Sequence, residues 1–236
     1  MEIDWAEVDG VIFDLDGVIT DTATLHREAW KEVFDEVLRR HLGEGARWFS
    51  EEDYLQFVDG KPRRAGIESF LASRSLKLEQ EEMEAIGDEK NRRYQERIEA
   101  GEATILEGAV ELLEELQAGR WRVGLVSSSR NAELVLRSLG LEHYFEVRVD
   151  GETLAEHRWP GKPEPRMFVE AARRLGVAPE RAVVVEDAVA GVQAGVAGGF
   201  AVVVGVARDE EQRRALEEAG AHGVVTSVAA LRFRRG

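Results

Sequence analysis

The chain has 236 residues, no cysteine and a formal charge of −15, from 31 basic and 46 acidic side chains. The composition excludes disulfides, a thiolate nucleophile and cysteine-ligated metals, and the acidic balance argues against binding to a nucleic-acid backbone. We expect a globular protein without a membrane span, and the absence of signal-peptide features favours a cytoplasmic location.

The first element is a buried strand at residues 11–13. It is followed by residues 22–102, where only helical patterns occur, at 24–40, 51–58, 65–72 and 80–99. In the first of these patterns, Leu25, Ala29 and Val33 fall on one side. This long interruption predicts an all-helical domain that is inserted directly after the first strand.

Beyond residue 104 the apolar runs resume, and we predict strands at 121–126, 145–149, 182–185, 201–204 and 224–225. Amphipathic helices alternate with them, and three of these end at Gly119, Gly140 and Gly176. Glycine suits the left-handed position after a last helical turn. The alternation predicts an α/β fold with a doubly wound parallel sheet, formed by residues 1–21 and 103–236, with the helical domain at 22–102.

Two carboxylates follow the first strand in the segment Asp14-Leu15-Asp16-Gly17. Ligands of open α/β sheets bind beyond the carboxyl ends of the strands, and Gly17 permits a tight turn there. Two carboxylates this close favour a shared cation or a raised pKa on one of them. Asp and Gly are also common turn residues, so this segment alone leaves a plain turn equally open.

Three other loops carry polar groups after predicted strands. Glu186 and Asp187 offer hard oxygens suited to Mg²⁺, although Asp187 could instead cap the next helix. The hydroxyls of residues 127–129 could bind phosphate at a helix N-terminus or simply cap that helix. Lys162 could point into an acidic cleft or be a surface lysine.

The four loops are all expected at the carboxyl edge of one sheet, where they would combine acids, hydroxyls and a lysine. A metal ion and Lys162 would hold that negative charge together. Phosphoryl transfer needs such cations and an aligned nucleophile. Asp14 can serve as a carboxylate nucleophile, and Asp16 can protonate the leaving oxygen and later deprotonate the incoming hydroxyl.

The order of these motifs and the helical insert resemble the haloacid dehalogenase superfamily of phosphatases and phosphomutases, over essentially the whole chain. Three segments, at residues 16–30, 58–63 and 126–131, are similar to its β-phosphoglucomutase-like subfamily, and Lys90-Asn91 also fits. The superfamily fold has a Rossmann-like core and a helical cap, which would be the insert.

The resemblance implies a role for each site residue. Asp14 would be the nucleophile and a Mg²⁺ ligand, and Asp16 the general acid–base that binds the metal through its carbonyl. Glu186 and Asp187 would complete the protein's share of the metal shell. Ser127 and Lys162 would hold the transferring phosphoryl group. The substrate-binding residues implied are Thr22, His26, Gly60, Lys61, Arg63, Lys90, Ser129, Arg130 and Asn131.

Several cap residues have a plainer alternative. Arg63 would bind the second, non-transferring phosphate of the substrate together with residues 129–131, or it would lie on the cap surface. His26 would touch substrate or Asp16, or face solvent. Subfamily members often have lysine where Asp59 stands, and Lys61 could supply that charge.

The expected partner is a small phosphorylated sugar, bound by a monomer. The mutase reaction implied converts β-glucose 1-phosphate to glucose 6-phosphate through a bound 1,6-bisphosphate. The alternative is a sugar-phosphate phosphatase, in which water accepts the phosphoryl group. A dehalogenase would not need Asp16 as an acid. A receiver or ligand-binding module would explain neither the insert nor the second acid two residues after the nucleophile.

Overall fold

The computed structural model describes residues 8–59, 61 and 63–233. The chain divides into two compact units, Met1–Asp21 with Thr104–Gly236, and Thr22–Ala103. The first is an α/β unit and the second is helical. Among the described residues, no helix is long and apolar enough to cross a membrane.

In the described part of the α/β unit, six parallel strands form one sheet in the order β3-β2-β1-β4-β5-β6. The strands are β1 (Gly10–Asp14), β2 (Arg122–Val126), β3 (Val147–Val149), β4 (Ala182–Glu186), β5 (Val202–Val206) and β6 (Gly223–Val225). Every predicted strand is present, and the doubly wound fold class is confirmed. Because β1 lies between β2 and β4, with Asp14 in register with Val126, the loops after these strands are neighbours.

The helices of this unit are α5 (Ala109–Ala118), α6 (Ala132–Ser138), α7 (Gly151–His157), α8 (Arg166–Leu175), α9 (Val189–Ala197) and α10 (Glu210–Glu218). Along α8, Met167, Phe168, Ala171 and Leu175 recur at helical spacing. They are fully buried in the hydrophobic core of the sheet.

The backbone after these helices corrects one expectation. Gly140 and Gly176 are left-handed, both with φ 69°, but Gly119 has φ −76° and Arg120 takes the left-handed position with φ 55°. The N–H of Trp121 donates to the carbonyl of Leu116. The left-handed residue after α5 is therefore Arg120, one residue later than the predicted Gly119.

The helical unit contains α1 (Ala23–Leu42), α2 (Glu51–Phe57), α3 (Arg63–Ser73) and α4 (Gln80–Glu99). Its core is aromatic. Phe34 lies between Trp30, Phe49 and Phe70, with ring centroids 4.9, 5.0 and 4.2 Å away. Trp30 is therefore a core residue of this unit.

Ion pairs join α4 to α1 along one side of the helical unit. Arg97 donates to Glu28 at 2.8 Å and to Glu32 at 2.5 Å, and one turn earlier Arg93 donates to Glu36 at 2.8 Å. Both arginine side chains are more than three-quarters buried. Isolated surface pairs contribute little, but linked and partly buried ones are screened less by water and salt.

We predict that Arg97→Ala lowers the free energy of unfolding by about 1 kcal/mol at low salt, and by less at high salt. Urea denaturation at two salt concentrations measures both effects. The matched control is Arg92→Ala, because Arg92 pairs only with residues of its own helix in the described contacts and is half exposed. An equal loss in both variants would contradict an inter-helix role for Arg97.

Candidate active site

Asp14 is the last residue of β1, and the chain turns back directly after it. The N–H groups of Ile19 and Thr20 donate to the carbonyl of Leu15, and Gly17 donates to the carbonyl of Thr20 at 2.7 Å. Gly17 has φ 87°, which glycine adopts without strain. The predicted turn is therefore present, and it holds Asp14 and Asp16 at the strand end.

The ammonium of Lys162 links two of the acidic strand ends. It donates to Asp14 Oδ1 at 2.5 Å and to Glu186 Oε1, and it lies 5.0 Å from the ring centre of Phe168. The Lys162 side chain is only 6% exposed. The surface-lysine alternative is therefore wrong, since the loop before α8 directs this side chain into the acidic cluster.

The titration of this cluster reflects its burial. Burial raises the pKa of Asp14 well above its usual range, and the negative charges of Glu186 and Asp16 add to the rise while Lys162 opposes it. Burial alone would lower the pKa of Lys162, but the charges of Asp14 and Glu186 raise it above the usual value. Lys162 is thus a fixed positive charge, and the surrounding carboxylates exceed what it neutralises.

The two acids after β4 are held by different groups. Besides Lys162, Glu186 accepts the N–H of Ala188 at 2.6 Å. Asp187 accepts a hydrogen bond from Arg208 at 2.8 Å. Helix α9 has Ala188 as its N-cap, so the alternative that Asp187 caps this helix is wrong. Both acids are instead oriented towards neighbouring loops of the same sheet edge.

The loop after β2 is closed by its own serines. Ser127 is buried, accepts the N–H of Ser129 at 3.1 Å and donates to Asp16 Oδ2 at 3.4 Å. Ser129 in turn accepts the N–H of Asn131, the buried N-cap of α6, at 3.1 Å. The structure therefore brings Ser127 to Asp16. Arg130, half exposed, lies 3.6 Å from Glu152.

Several residues that shape this site were missed from the sequence. A Cβ on Gly151 would lie 2.7 Å from backbone atoms of Ser128 and Arg130. Helix α7 therefore begins directly against the loop of residues 127–131 after β2, which we call the serine loop. A Cβ on Gly191 would overlap the carboxylate of Glu186. The sequence did offer a signal for both. Gly151 closely follows a predicted strand and Gly191 lies in the first turn of the next helix, and glycine at such positions often allows another group to approach the backbone closely.

In the helical unit, the buried Lys90 contacts the partly buried His26. The Lys90 ammonium contacts His26 Nδ1 and lies 5.3 Å from the ring centre of Trp30 and 4.6 Å from that of Tyr94. Burial lowers the pKa of His26 well below 6.5, and the charges of Lys90 and Arg63 add to this. His26 is therefore a neutral acceptor for Lys90, and the solvent-facing alternative is wrong.

Arg63 begins α3 and reaches across to α4. Its guanidinium donates to Asn91 Oδ1 at 3.1 Å and to Asp88 Oδ1 at 3.4 Å. Only a third of the side chain is exposed. The side chain of Arg63 thus packs against α4, the helix that contains Lys90. It does not extend from the cap surface.

The other predicted cap residues lie apart from this pair or outside the described residues. The Lys61 ammonium donates to the carbonyl of Gln56 at 3.1 Å and to Ser69 Oγ at 3.0 Å. Thr22 is fully buried and is the N-cap of α1. Gly60 lies outside the described residues. Lys61 therefore links α2 to α3.

The acidic edge fits a hard divalent cation by its donor chemistry. Within residues 8–59, 61 and 63–233, no three acidic or imidazole groups converge closely enough to hold a metal as they stand. Lys162 and Arg208 bind the carboxylates instead. The donors are nevertheless all oxygen, from Asp14, Glu186 and Asp187. Burial raises the pKa of Asp14, and the negative charges of Glu186 and Asp16 add to this rise.

Comparisons with known proteins agree with this geometry. The family model for haloacid dehalogenase-like hydrolases matches residues 8–199. A β-phosphoglucomutase from Mycobacterium bovis is 40% identical over 95% of this chain and 92% of its own. A phosphorylated carbohydrates phosphatase from Thermotoga maritima is 31% identical over 92% of this chain and 94% of its own.

Among solved structures, a β-phosphoglucomutase from Clostridium difficile superposes with a TM-score of 0.79. It is 29% identical and covers 96% of this chain and 94% of its own. The match therefore spans both units. This chain belongs to the haloacid dehalogenase-like hydrolases, in the β-phosphoglucomutase-like subfamily, and is an enzyme of the phosphomutase or phosphatase type.

Proposed function

We propose that this protein is a Mg²⁺-dependent phosphotransferase that acts on a small sugar phosphate through an aspartyl phosphate on Asp14. Its reaction would be the conversion of β-glucose 1-phosphate to glucose 6-phosphate through a bound 1,6-bisphosphate. The observation that supports this most directly is the buried ammonium of Lys162, which bonds Asp14 and Glu186 at once. Such an arrangement suits an anionic group that must approach a carboxylate.

In the first half-reaction, a carboxylate oxygen of Asp14 attacks phosphorus while the bond from phosphorus to the sugar oxygen breaks. The carboxyl group of Asp16 gives its proton to that leaving oxygen. An ammonium has three N–H donors, so Lys162 can hold both carboxylates and a phosphoryl oxygen together. Ser127, which already donates to Asp16, provides a second donor at the same place.

In the second half-reaction, Asp16 takes a proton from the accepting hydroxyl, which attacks phosphorus and frees Asp14. For a mutase this acceptor is a sugar hydroxyl, and for a phosphatase it is water. Mg²⁺, held by Asp14, the carbonyl of Asp16, Glu186 and Asp187, would neutralise the phosphoryl oxygens and keep Asp14 ionised.

A mutase also needs donors for the phosphate that is not being transferred. We assign this role to Arg63 in the cap and to Ser129, Arg130 and Asn131 in the core. Arg63 already donates to the neutral amide of Asn91, so its guanidinium is oriented before any ligand is bound. The mutase is preferred because the M. bovis relative at 40% identity is a β-phosphoglucomutase. The T. maritima relative keeps the phosphatase as the second candidate.

A panel of phosphosugars with Mg²⁺ tests the proposal. Each reaction is assayed in parallel for glucose 6-phosphate and for free phosphate, with catalytic glucose 1,6-bisphosphate as primer. We expect β-glucose 1-phosphate to give glucose 6-phosphate with little free phosphate. Phosphate release without isomerisation, even with the primer, would favour the phosphatase, and inertness of the whole panel would refute both candidates.

We predict that Asp14→Asn lowers kcat by roughly 10⁴-fold or more, because the nucleophile is lost. Wild-type enzyme mixed with labelled bisphosphate should acquire acid-stable, hydroxylamine-sensitive label, and the variant should not. Asp9→Asn is the control, since Asp9 lies five residues before Asp14 and is a half-exposed acid that pairs with Arg181. Normal turnover by the Asp14 variant would contradict a covalent mechanism.

We predict that Asp16→Asn slows phosphoryl transfer from the sugar phosphate about 10²- to 10⁴-fold, because the leaving oxygen receives no proton. Formation of labelled phosphoenzyme measures this step. With p-nitrophenyl phosphate, whose leaving group is stable without a proton, phosphoenzyme should form with a much smaller loss. An equal loss with both substrates would indicate that Asp16 acts in some other way.

A further inference from the structure

Gly87 lies in the interior of α4, where a glycine has no conformational purpose. The helix runs for 20 residues and Gly87 is buried in it. Glycine is less favourable than alanine in a helix interior because it loses more backbone freedom on folding. Its φ is not positive. The reason for glycine at this position must therefore lie in what packs against it.

The side chain of Arg63 fills the space that a side chain at residue 87 would need. A Cβ on Gly87 would lie 2.8 Å from Cδ and 3.5 Å from Cγ of Arg63, and 3.4 Å from Cδ1 of Ile67. Real Cβ atoms do not approach other heavy atoms as closely as 2.8 Å. The aliphatic part of Arg63 thus crosses α4 directly over Gly87.

The destination of the guanidinium follows from this path. Asn91 is four residues after Gly87 and so lies on the same face of α4, one turn further along. Arg63 passes over Gly87 and donates to Asn91 at 3.1 Å and to Asp88 at 3.4 Å. A cleft of about 320 Å³ lies between α3 and α4 at this place, and its lining includes Arg63, Ile67 and Gly87.

We propose that Gly87 is a positioning residue for Arg63: it leaves open the path by which the guanidinium reaches its place for binding the second phosphate of the substrate. This inference rests on the proposed function of Arg63. Gly87 does not touch substrate. It acts through the conformation of one arginine side chain.

The rival explanation is that Gly87 only permits close packing of α3 against α4. The two explanations differ in what alanine would do. The atom in closest conflict belongs to the middle of a flexible side chain and not to backbone, so Arg63 can rotate away without unfolding the helices. Gly87→Ala should therefore leave the protein folded with little net change in thermal stability, because the helix preference of alanine opposes the cost of moving Arg63, while it displaces the guanidinium.

The test is a double-mutant cycle with the full-length enzyme. We expect Gly87→Ala to raise KM for β-glucose 1-phosphate about tenfold, which equals about 1.4 kcal/mol. Its Tm should stay close to that of the wild type. Arg63→Ala should raise KM at least as much, and the double variant should match Arg63→Ala alone. Turnover of p-nitrophenyl phosphate should be unchanged by Gly87→Ala, because the only phosphate of this substrate is the one that is transferred and Arg63 has no second phosphate to bind.

The control is Gly45→Ala, also in the helical unit, because a Cβ there would meet nothing within 4 Å. It should leave KM unchanged. If Arg63→Ala leaves KM unchanged, the proposed function of Arg63 fails and the role of Gly87 fails with it. If Arg63→Ala raises KM while Gly87→Ala does not, or if the two effects add, the inference about Gly87 alone is overturned.

Discussion

The α/β unit is organised around one electrostatic constraint, the burial of several carboxylates at the carboxyl edge of a parallel sheet. Buried negative charges are costly unless a cation accompanies them. Lys162 meets this need by bonding Asp14 and Glu186 from strand ends that are neighbours in the sheet but 172 residues apart in the chain. In the proposed function, the carboxylates of this edge are the donors for Mg²⁺ and the Lys162 ammonium is a donor for the phosphoryl group.

Close packing of loops, more than any single side chain, sets the geometry around this cluster. The serine loop after β2 rests on Gly151, and the carboxylate of Glu186 rests on Gly191. A Cβ on Gly17 would overlap the carboxylate of Asp187. Each glycine lets a polar group approach the backbone of a neighbouring loop. The helical unit uses the same device, since Gly87 makes room for the stem of Arg63.

The polar groups of the helical unit separate into two kinds. On one side, Arg93 and Arg97 pair with acidic side chains of α1 and neutralise part of their negative charge. Elsewhere, Lys90 bonds the neutral Nδ1 of His26, and Arg63 bonds the neutral amide of Asn91 besides the Asp88 carboxylate at 3.4 Å. A cation bonded to a neutral group keeps its charge available, which is what an anionic substrate requires. The net charge of −15 is therefore compatible with phosphate binding.

Local sequence patterns were sufficient for all six strands, the helical insert and the acidic residues, because strand and helix periodicity and turn chemistry act over a few residues. They left open whether Lys162, His26 and Arg63 lie on the surface or pack against other polar groups. The outcome depended on which side chains the folded chain brought against them, and these partners lie between 28 and 148 residues away along the chain. They also missed Gly151, Gly191 and Arg208, whose importance lies in contacts between loops. The sequence by itself determined the strands, the helices and the chemical inventory of the site, and only the tertiary structure decided which of those groups are buried together, because burial and proximity are properties of the packed chain.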